Sequence, residues 1–297
     1  MPCRASCLCA DRKAQRSATA CGAVAGPAIG TCRNSVVWTC GFSSLLRVRN
    51  LIIITIFWVL SAVAVLAQGS PPFNTDDAGT VEKKHWELDL GVSTLRARTG
   101  GQTWKVPSID LGYGLTENIE IDYGVPVLIV RADGESARSG LGNSVAGVKW
   151  RFFEDTAAGL AISVSPQVEF NNPTSSRRRG LVEDNTEFVL PFQVQKSFGE
   201  IETAFNVGRT FHSREPRETD GWSAGVAAGK KLSEHLHAGA ELYGETARKF
   251  DHGFLLFNVG VVYEVDESLS LSASLGRGVA GEDRPDFVGF IGVQLMR

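Results

Sequence analysis

The chain has 297 residues, 30 Lys and Arg against 33 Asp and Glu, a net charge of −3 and six cysteines. These averages conceal two unlike parts. All six cysteines fall within the first 40 residues, and residues 1–67 carry seven bases and one acid, leaving 23 bases against 32 acids, a net of −9, in residues 68–297. A cysteine-free acidic body excludes a disulfide framework and a cysteine-based zinc site, and makes nucleic acid a poor expectation as a partner.

Residues 1–45 are Cys-rich, contain arginines and lack hydrophobic periodicity. They read as a non-native or unstructured extension, as from a start placed too far upstream. Met1 is the only methionine before Met296, so a later start would use a non-ATG codon, with Val48 a candidate. Residues 46–67 read as a signal peptide: Arg47 and Arg49 precede the apolar run Leu51–Ala67, and Val65-Leu66-Ala67 supplies small side chains for cleavage between Ala67 and Gln68. A single spanning helix is the alternative, at the short end of the permitted length. No cysteine follows the cleavage point, so the chain is not expected to be a lipoprotein. Residues 68–84 are expected as a periplasmic N-terminal segment, with lining and partial plugging of the periplasmic mouth both open as its role.

From residue 85 to residue 297 the dominant period is two. Trp86, Leu88, Leu90 and Val92 alternate with Glu87, Asp89, Gly91 and Ser93, and Ile119, Ile121, Tyr123 and Val125 alternate with Glu120, Asp122 and Gly124. Phe188, Leu190, Phe192 and Val194 repeat the pattern, as do Leu269, Leu271 and Leu275. Strict alternation predicts strands with one apolar and one polar face. Twelve such runs centre near residues 90, 109, 124, 149, 165, 192, 206, 226, 241, 259, 273 and 292. Short joints (for example 116–118, 198–200 and 266–268) alternate with longer polar ones near 97–102, 131–140, 171–185, 212–220, 246–252 and 277–286. An even number of strands with tight turns at one end and long loops at the other predicts a transmembrane antiparallel up-and-down β-barrel of about 12 strands, with both termini on the periplasmic side. A soluble sandwich or lipocalin-like barrel is the runner-up, but apolar faces this continuous would expose too much hydrophobic area to water. Trp86, Trp104, Trp150 and Trp222 fall near strand ends, where interfacial girdles lie. Pro107, Pro126, Pro166 and Pro191 fall within predicted strands. Around Pro107 the apolar parity shifts, as a bulge would make it do; Pro166 carries no such sign.

The run Pro71-Pro72-Phe73-Asn74-Thr75-Asp76-Asp77-Ala78-Gly79-Thr80, followed by His85-Trp86-Glu87-Leu88, resembles the outer-membrane family called MetA-pathway of phenol degradation. Leu111-Gly112-Tyr113-Gly114-Leu115-Thr116-Glu117-Asn118 and Gly140-Leu141-Gly142-Asn143 look similar to it as well. The resemblance covers most of residues 70–297 and implies a porin-like barrel suspected of moving aromatic or hydrophobic compounds. The C-terminus, Gln294-Leu295-Met296-Arg297, departs from the aromatic ending that the barrel-assembly machinery commonly recognises.

By parity the polar lumen comprises Glu87, Asp89, Asp110, Glu120, Asp122, Glu169, Glu187, Glu202, Glu241 and Glu245, with Lys149 and Arg151 as its bases. Such a lumen would disfavour anions, or fill a narrow barrel with ion pairs and hydrogen bonds. Apolar residues of the same parity, Leu128, Val130, Val189, Phe254, Leu256, Val288 and Phe290, lie in the extracellular half. They form a vestibule for a hydrophobic solute, unless bulges turn them outward to lipid. No His-x-Ser pattern points to a barrel hydrolase, and no catalytic or cofactor-binding residue is expected. His235-x-His237 with Glu241 is a weak metal-ligand pattern and is read as interfacial histidines. Arg177-Arg178-Arg179 is read as a solvated loop facing lipopolysaccharide phosphates. The expected function is passive uptake of small hydrophobic or aromatic compounds across the outer membrane, without a cofactor. The expected partners are outer-membrane lipid and lipopolysaccharide, the barrel-assembly machinery and the solute. The alternative is a structural or surface-interaction barrel with a plugged lumen.

Overall fold

The computed structural model describes residues 72–98, 100–182, 185–213, 220–247, 250 and 252–297. The expected extension and signal peptide, with residues 68–71, lie outside them. The alternating runs form twelve strands: β1 (Trp86–Ala97), β2 (Gln102–Gly114), β3 (Ile119–Arg131), β4 (Arg138–Leu141 and Ser144–Asp155), β5 (Leu160–Val164 and Gln167–Phe170), β6 (Glu187–Phe198), β7 (Ile201–His212), β8 (Gly221–Lys231), β9 (Leu236–Ala247), β10 (Gly253–Asp266), β11 (Leu269–Gly281) and β12 (Pro285–Met296).

Each strand is antiparallel to the next, and β12 returns to β1 in register from Glu87↔Met296 to Arg96↔Phe287. Trp86 N–H donates to the Arg297 carbonyl at 2.6 Å and Arg297 N–H to the Trp86 carbonyl at 2.8 Å, so the last residue seals the seam. Closure satisfies the backbone ladder all the way round, which a wall facing hydrocarbon requires. A strand of 12 residues rises about 40 Å, enough to cross a ~25 Å apolar band at a tilt near 45°.

The outward parity is apolar. Ile291 and Leu275 are 61 % and 60 % exposed, and Val207, Trp150 and Phe205 are exposed alongside them. Aromatic rings gather at the strand ends. Trp86 stacks on Tyr113 (centroids 4.4 Å), and Trp150, Phe152 and Phe192 form a chain that reaches from β4 to the middle of β6. Phe188 and Phe211 pair at the long-loop end. Gly199 sits at φ 65° in the two-residue turn between β6 and β7, a backbone angle that costs glycine least.

Prolines mark two of the irregularities; further register shifts fall between Arg151 and Phe153 of β4 and, against β11, at Leu255–Leu256 and Glu264–Asp266 of β10. Between Lys105 and Ser108 the register of β2 against β3 shifts, which places the expected bulge at Val106–Pro107. Val127 pairs with Leu141 while Gly124 pairs with Val145, so β4 carries one extra residue opposite Val125 and Pro126. That bulge lets β4 extend upward through Arg138–Leu141, a stretch expected to be loop. Around Pro166 the register is continuous, Trp150↔Val164 and Gly147↔Gln167, so this proline costs the ladder a donor without inserting a residue.

Candidate functional site: a chain segment across the lumen and a cavity beyond it

Residues 72–84 run along the inner wall from the short-turn end. Lys83 bridges Gly114 and pairs with Glu117 at 3.3 Å. Further in, Val81 N–H donates to Glu120 Oε2 at 2.8 Å. Asp76 is clamped by β7: its N–H donates to Asn206 Oδ1 and its carbonyl accepts from Asn206 Nδ2, both at 2.6 Å. Glu241 of β9 accepts from Thr75 N–H at 2.5 Å and from Asn74 Nδ2 at 3.2 Å. Pro72 carbonyl accepts from Ser274 Oγ of β11 at 2.8 Å, and Phe73 packs on Ala204 and Ala227 of β7 and β8. Contacts on β2, β3, β4, β7, β8, β9 and β11 come from every side of the ring, so the segment lies across the lumen.

The wall is shaped for this. Ala204 and Ala227 leave room for the Phe73 ring, whose burial contributes about 2 kcal/mol. Gly225 lies so close that its Cβ would stand 3.2 Å from the Thr75 Cβ, and a Cβ at Gly260 would stand 2.7 Å from Pro72 Cγ. Thr75 and Ala78 are completely buried.

Charge completes the docking. The buried Lys149 ammonium of β4 lies 2.9 Å from Asp76 Oδ2 and 3.7 Å from Asp77 Oδ1. Burial holds the Asp77 carboxyl above its ordinary range, against the pull of Lys149 and with the neighbouring Asp76 charge adding to the rise. Gly79 N–H donates to Asp77 Oδ1 at 2.7 Å and tightens the turn.

The expected polar-lumen residues therefore have distinct roles. Glu120, Lys149 and Glu241 hold the segment. Glu87, Asp89, Asp110 and Asp122 line β1–β3 beside it, with Asp89 and Asp110 opposite one another in register. Arg151 is spent at the short-turn end, with Nη2 on the Glu117 carbonyl (2.8 Å) and Nε 3.2 Å from Glu154. Glu169 accepts from Asn143 at 2.9 Å, and Glu202 lies on β7 opposite Gly229. Glu187 faces His212 at 3.5 Å in the long-loop half.

In that half lies a cavity of about 500 Å³, lined by Val189, Thr210, His212, Ser223, Tyr243, Glu245 and Phe254 among others. The Tyr243 and Phe254 rings lie 6.5 Å apart, and Tyr243 donates to Glu245 Oε1 at 2.7 Å. The lining also carries Glu187, His252 and Asp283, so the two rings stand among many polar and charged groups, a setting that suits a small ring-bearing molecule with hydrogen-bonding substituents.

Of the seven residues expected to form a vestibule, Val189 and Phe254 line this cavity. Leu256 is buried at the adjoining inward position, opposite Tyr243. The others stand elsewhere. Leu128 lies against Gly142 on β3, Val130 pairs with Arg138, and Val288 pairs with Gly276. Phe290 lies across Gly91 and Gly292, where a Cβ would come within 2.6 and 2.5 Å of its ring. Tyr243 and His212 are not among the expected residues. Tyr243 shares the parity of Glu241 and Glu245, which is the signal that could have found it. His235 and His237 diverge, one ring beside Tyr263 (6.0 Å) and the other 2.9 Å from Glu264. Among the described residues no cluster could hold a metal ion.

No curated protein matches the chain. Among solved structures, the COG4313 outer membrane channel from Pseudomonas putida F1 is similar, with a TM-score of 0.61 at 14 % identity, over 77 % of this chain and 100 % of that one. The NanC porin has a TM-score of 0.51 at 6 % identity, over 70 % and 98 %. These likenesses agree on the fold, the closed antiparallel barrel of outer-membrane channels and porins. The model of the family described as "Putative MetA-pathway of phenol degradation" matches residues 69–293, and the chain belongs to that family.

Proposed function

We propose that the protein is an outer-membrane channel that takes up small hydrophobic or aromatic compounds, with the long loops outside and the short turns in the periplasm. The observation that carries this reading is the cavity in the long-loop half, where the Tyr243 and Phe254 rings stand among polar groups and which adjoins a lumen crossed by residues 72–81. A solute would leave water for the cavity of Val189, Tyr243 and Phe254, and would move on when the segment shifts. The acids of β1–β3 would then disfavour anionic solutes. Passage follows the concentration gradient and calls for no cofactor. Membership of a family named for phenol degradation, and a barrel fold shared with an outer membrane channel, support the same reading.

The test is uptake of a fluorescent or ring-labelled phenolic solute into proteoliposomes. Faster entry than into protein-free liposomes is expected, together with a loss of about tenfold in Phe254→Asp. Entry no faster than the lipid background would remove the channel reading. A second reading, a structural or surface-interaction barrel, is favoured by the seven strands that grip the segment; it predicts that background rate for wild type and variant alike.

A further inference from the structure

We propose that the outer face of the barrel, on β9–β12 and β1–β2, binds one phosphorylated acyl lipid of the outer leaflet through Arg96 and Arg277. The groove there measures about 760 Å³, and its lining includes Trp104, Phe257, Val259, Leu275, Phe287 and Ile291. These positions share the outward parity, so the groove faces hydrocarbon and not the lumen. Its floor comes from small outward residues, Ala238, Ala240, Ala273 and Gly289. At Gly289 the lack of a side chain matters: a Cβ would stand 3.1 Å from the Phe287 ring and 3.6 Å from Thr94 Cγ2.

Two cations crown this groove. Arg96 pairs with Phe287 across β1 and β12, and Arg277 pairs with Phe257 across β11 and β10. The register Gly276↔Val288 places Arg277 level with Phe287 from the other side. The two arginines thus flank one aromatic ring, two strand spacings or about 10 Å apart. Arg96 follows Thr94 and Val92 on the outward parity, Arg277 follows Leu275, and both residues are exposed. Among the described residues neither guanidinium has an ion-pair partner.

The dimensions fit a lipid. From Phe257, level with Arg277, down to Val261 the groove runs four residues along β10, about 10 Å along the axis after tilt. That is most of one leaflet's half of a ~25 Å apolar band. A phosphate between two forked guanidiniums receives paired hydrogen bonds, while an acyl chain beneath it fills a trough that bulky outward side chains would close. The arginines of the β5–β6 loop do not offer this arrangement. Arg179 donates to the Ser139 carbonyl at 2.6 Å, and its own carbonyl accepts from Arg138 at 2.8 Å, so it ties the loop to β4.

The experiment is native mass spectrometry of the purified, folded barrel in detergent, titrated with a bisphosphorylated lipid A. One retained lipid per barrel is expected. Weakening by about tenfold or more is expected in Arg96→Gln/Arg277→Gln, and a comparable loss in Gly289→Leu, which fills the groove and leaves both guanidiniums in place. Migration of unheated samples as the compact form on a gel verifies that each variant is folded. Equal retention by the double arginine variant, equal binding of the dephosphorylated lipid, or displacement by millimolar inorganic phosphate alone would each overturn the proposal. Undiminished binding by Gly289→Leu would overturn the groove as the seat of the chain.

Discussion

The two halves of the lumen are occupied on different terms. In the short-turn half the wall offers Glu120, Lys149, Asn206 and Glu241, and each is engaged by residues 74–81 of the same chain. In the long-loop half the wall offers Val189, Tyr243 and Phe254, and these frame a cavity of about 500 Å³. Polar groups in the first half are thus engaged by a fixed peptide in one register, whereas in the second half two aromatic rings stand beside Glu187, His212, Glu245 and Asp283 around open space. A closed barrel can do both because inward side chains vary with height while the ladder behind them does not.

Removal of the occupant is the largest perturbation of this contrast. Deletion of residues 72–84 is expected to raise the single-channel conductance of the refolded barrel in planar bilayers several-fold; conductance like that of the wild type would mean that the segment is not the constriction. Next comes Lys149→Met, which strands Asp76 and Asp77 without their cation. Asp76 is about one-third exposed, so the cost of a broken buried pair is reduced to about 2 kcal/mol of docking. Frequent current fluctuations are expected in place of steady closure. Phe254→Asp acts on the other half alone: phenolic uptake falls about tenfold while ion conductance stays at the wild-type level. A parallel fall in both would show that the two halves are not separable.

Acidity gives the smallest effect. The Asp77 carboxyl is held above its ordinary value near 3.8 when docked, so docking is favoured by its protonation. That contribution is complete below the ordinary value and disappears as pH rises through the raised one. Openings are therefore expected to become more frequent as pH rises from about 3.8, and Asp77→Asn should flatten that dependence. An unaltered slope in the variant would assign it to another group.

The barrel itself is legible in the sequence because alternation is a local signal. Eleven of the twelve predicted centres fall within a strand and the twelfth, near 165, falls at the break between the two pieces of β5, and Pro107 announces its bulge through the parity change between Val106 and Ile109. The bulge at Gly142-Asn143 is not legible, because two turn-forming residues between apolar stretches look the same in a loop and in a bulged strand. The segment Thr75-Asp76-Asp77 stands out as a motif, yet its partners do not. Asp76 meets Asn206 at a separation of 130 residues and Pro72 meets Ser274 at 202, and a period of two says which side chains face inward but not what fills the space. For the same reason parity identifies Val189 and Phe254 as inward-facing without showing that they share a cavity with Tyr243, while Leu128 and Phe290 do not line it.

Displacement of the segment can be tested by tethering it. Residues 68–297 contain no cysteine, so Thr75→Cys/Gly225→Cys would introduce a single pair, at positions where a Cβ added to Gly225 would stand 3.2 Å from the Thr75 Cβ. Phenolic uptake into proteoliposomes is then measured with the pair oxidised and again after reduction. Uptake that stops in the oxidised barrel and returns on reduction is the predicted result. Equal uptake in the two states, with the cross-link verified by mass, would contradict the account.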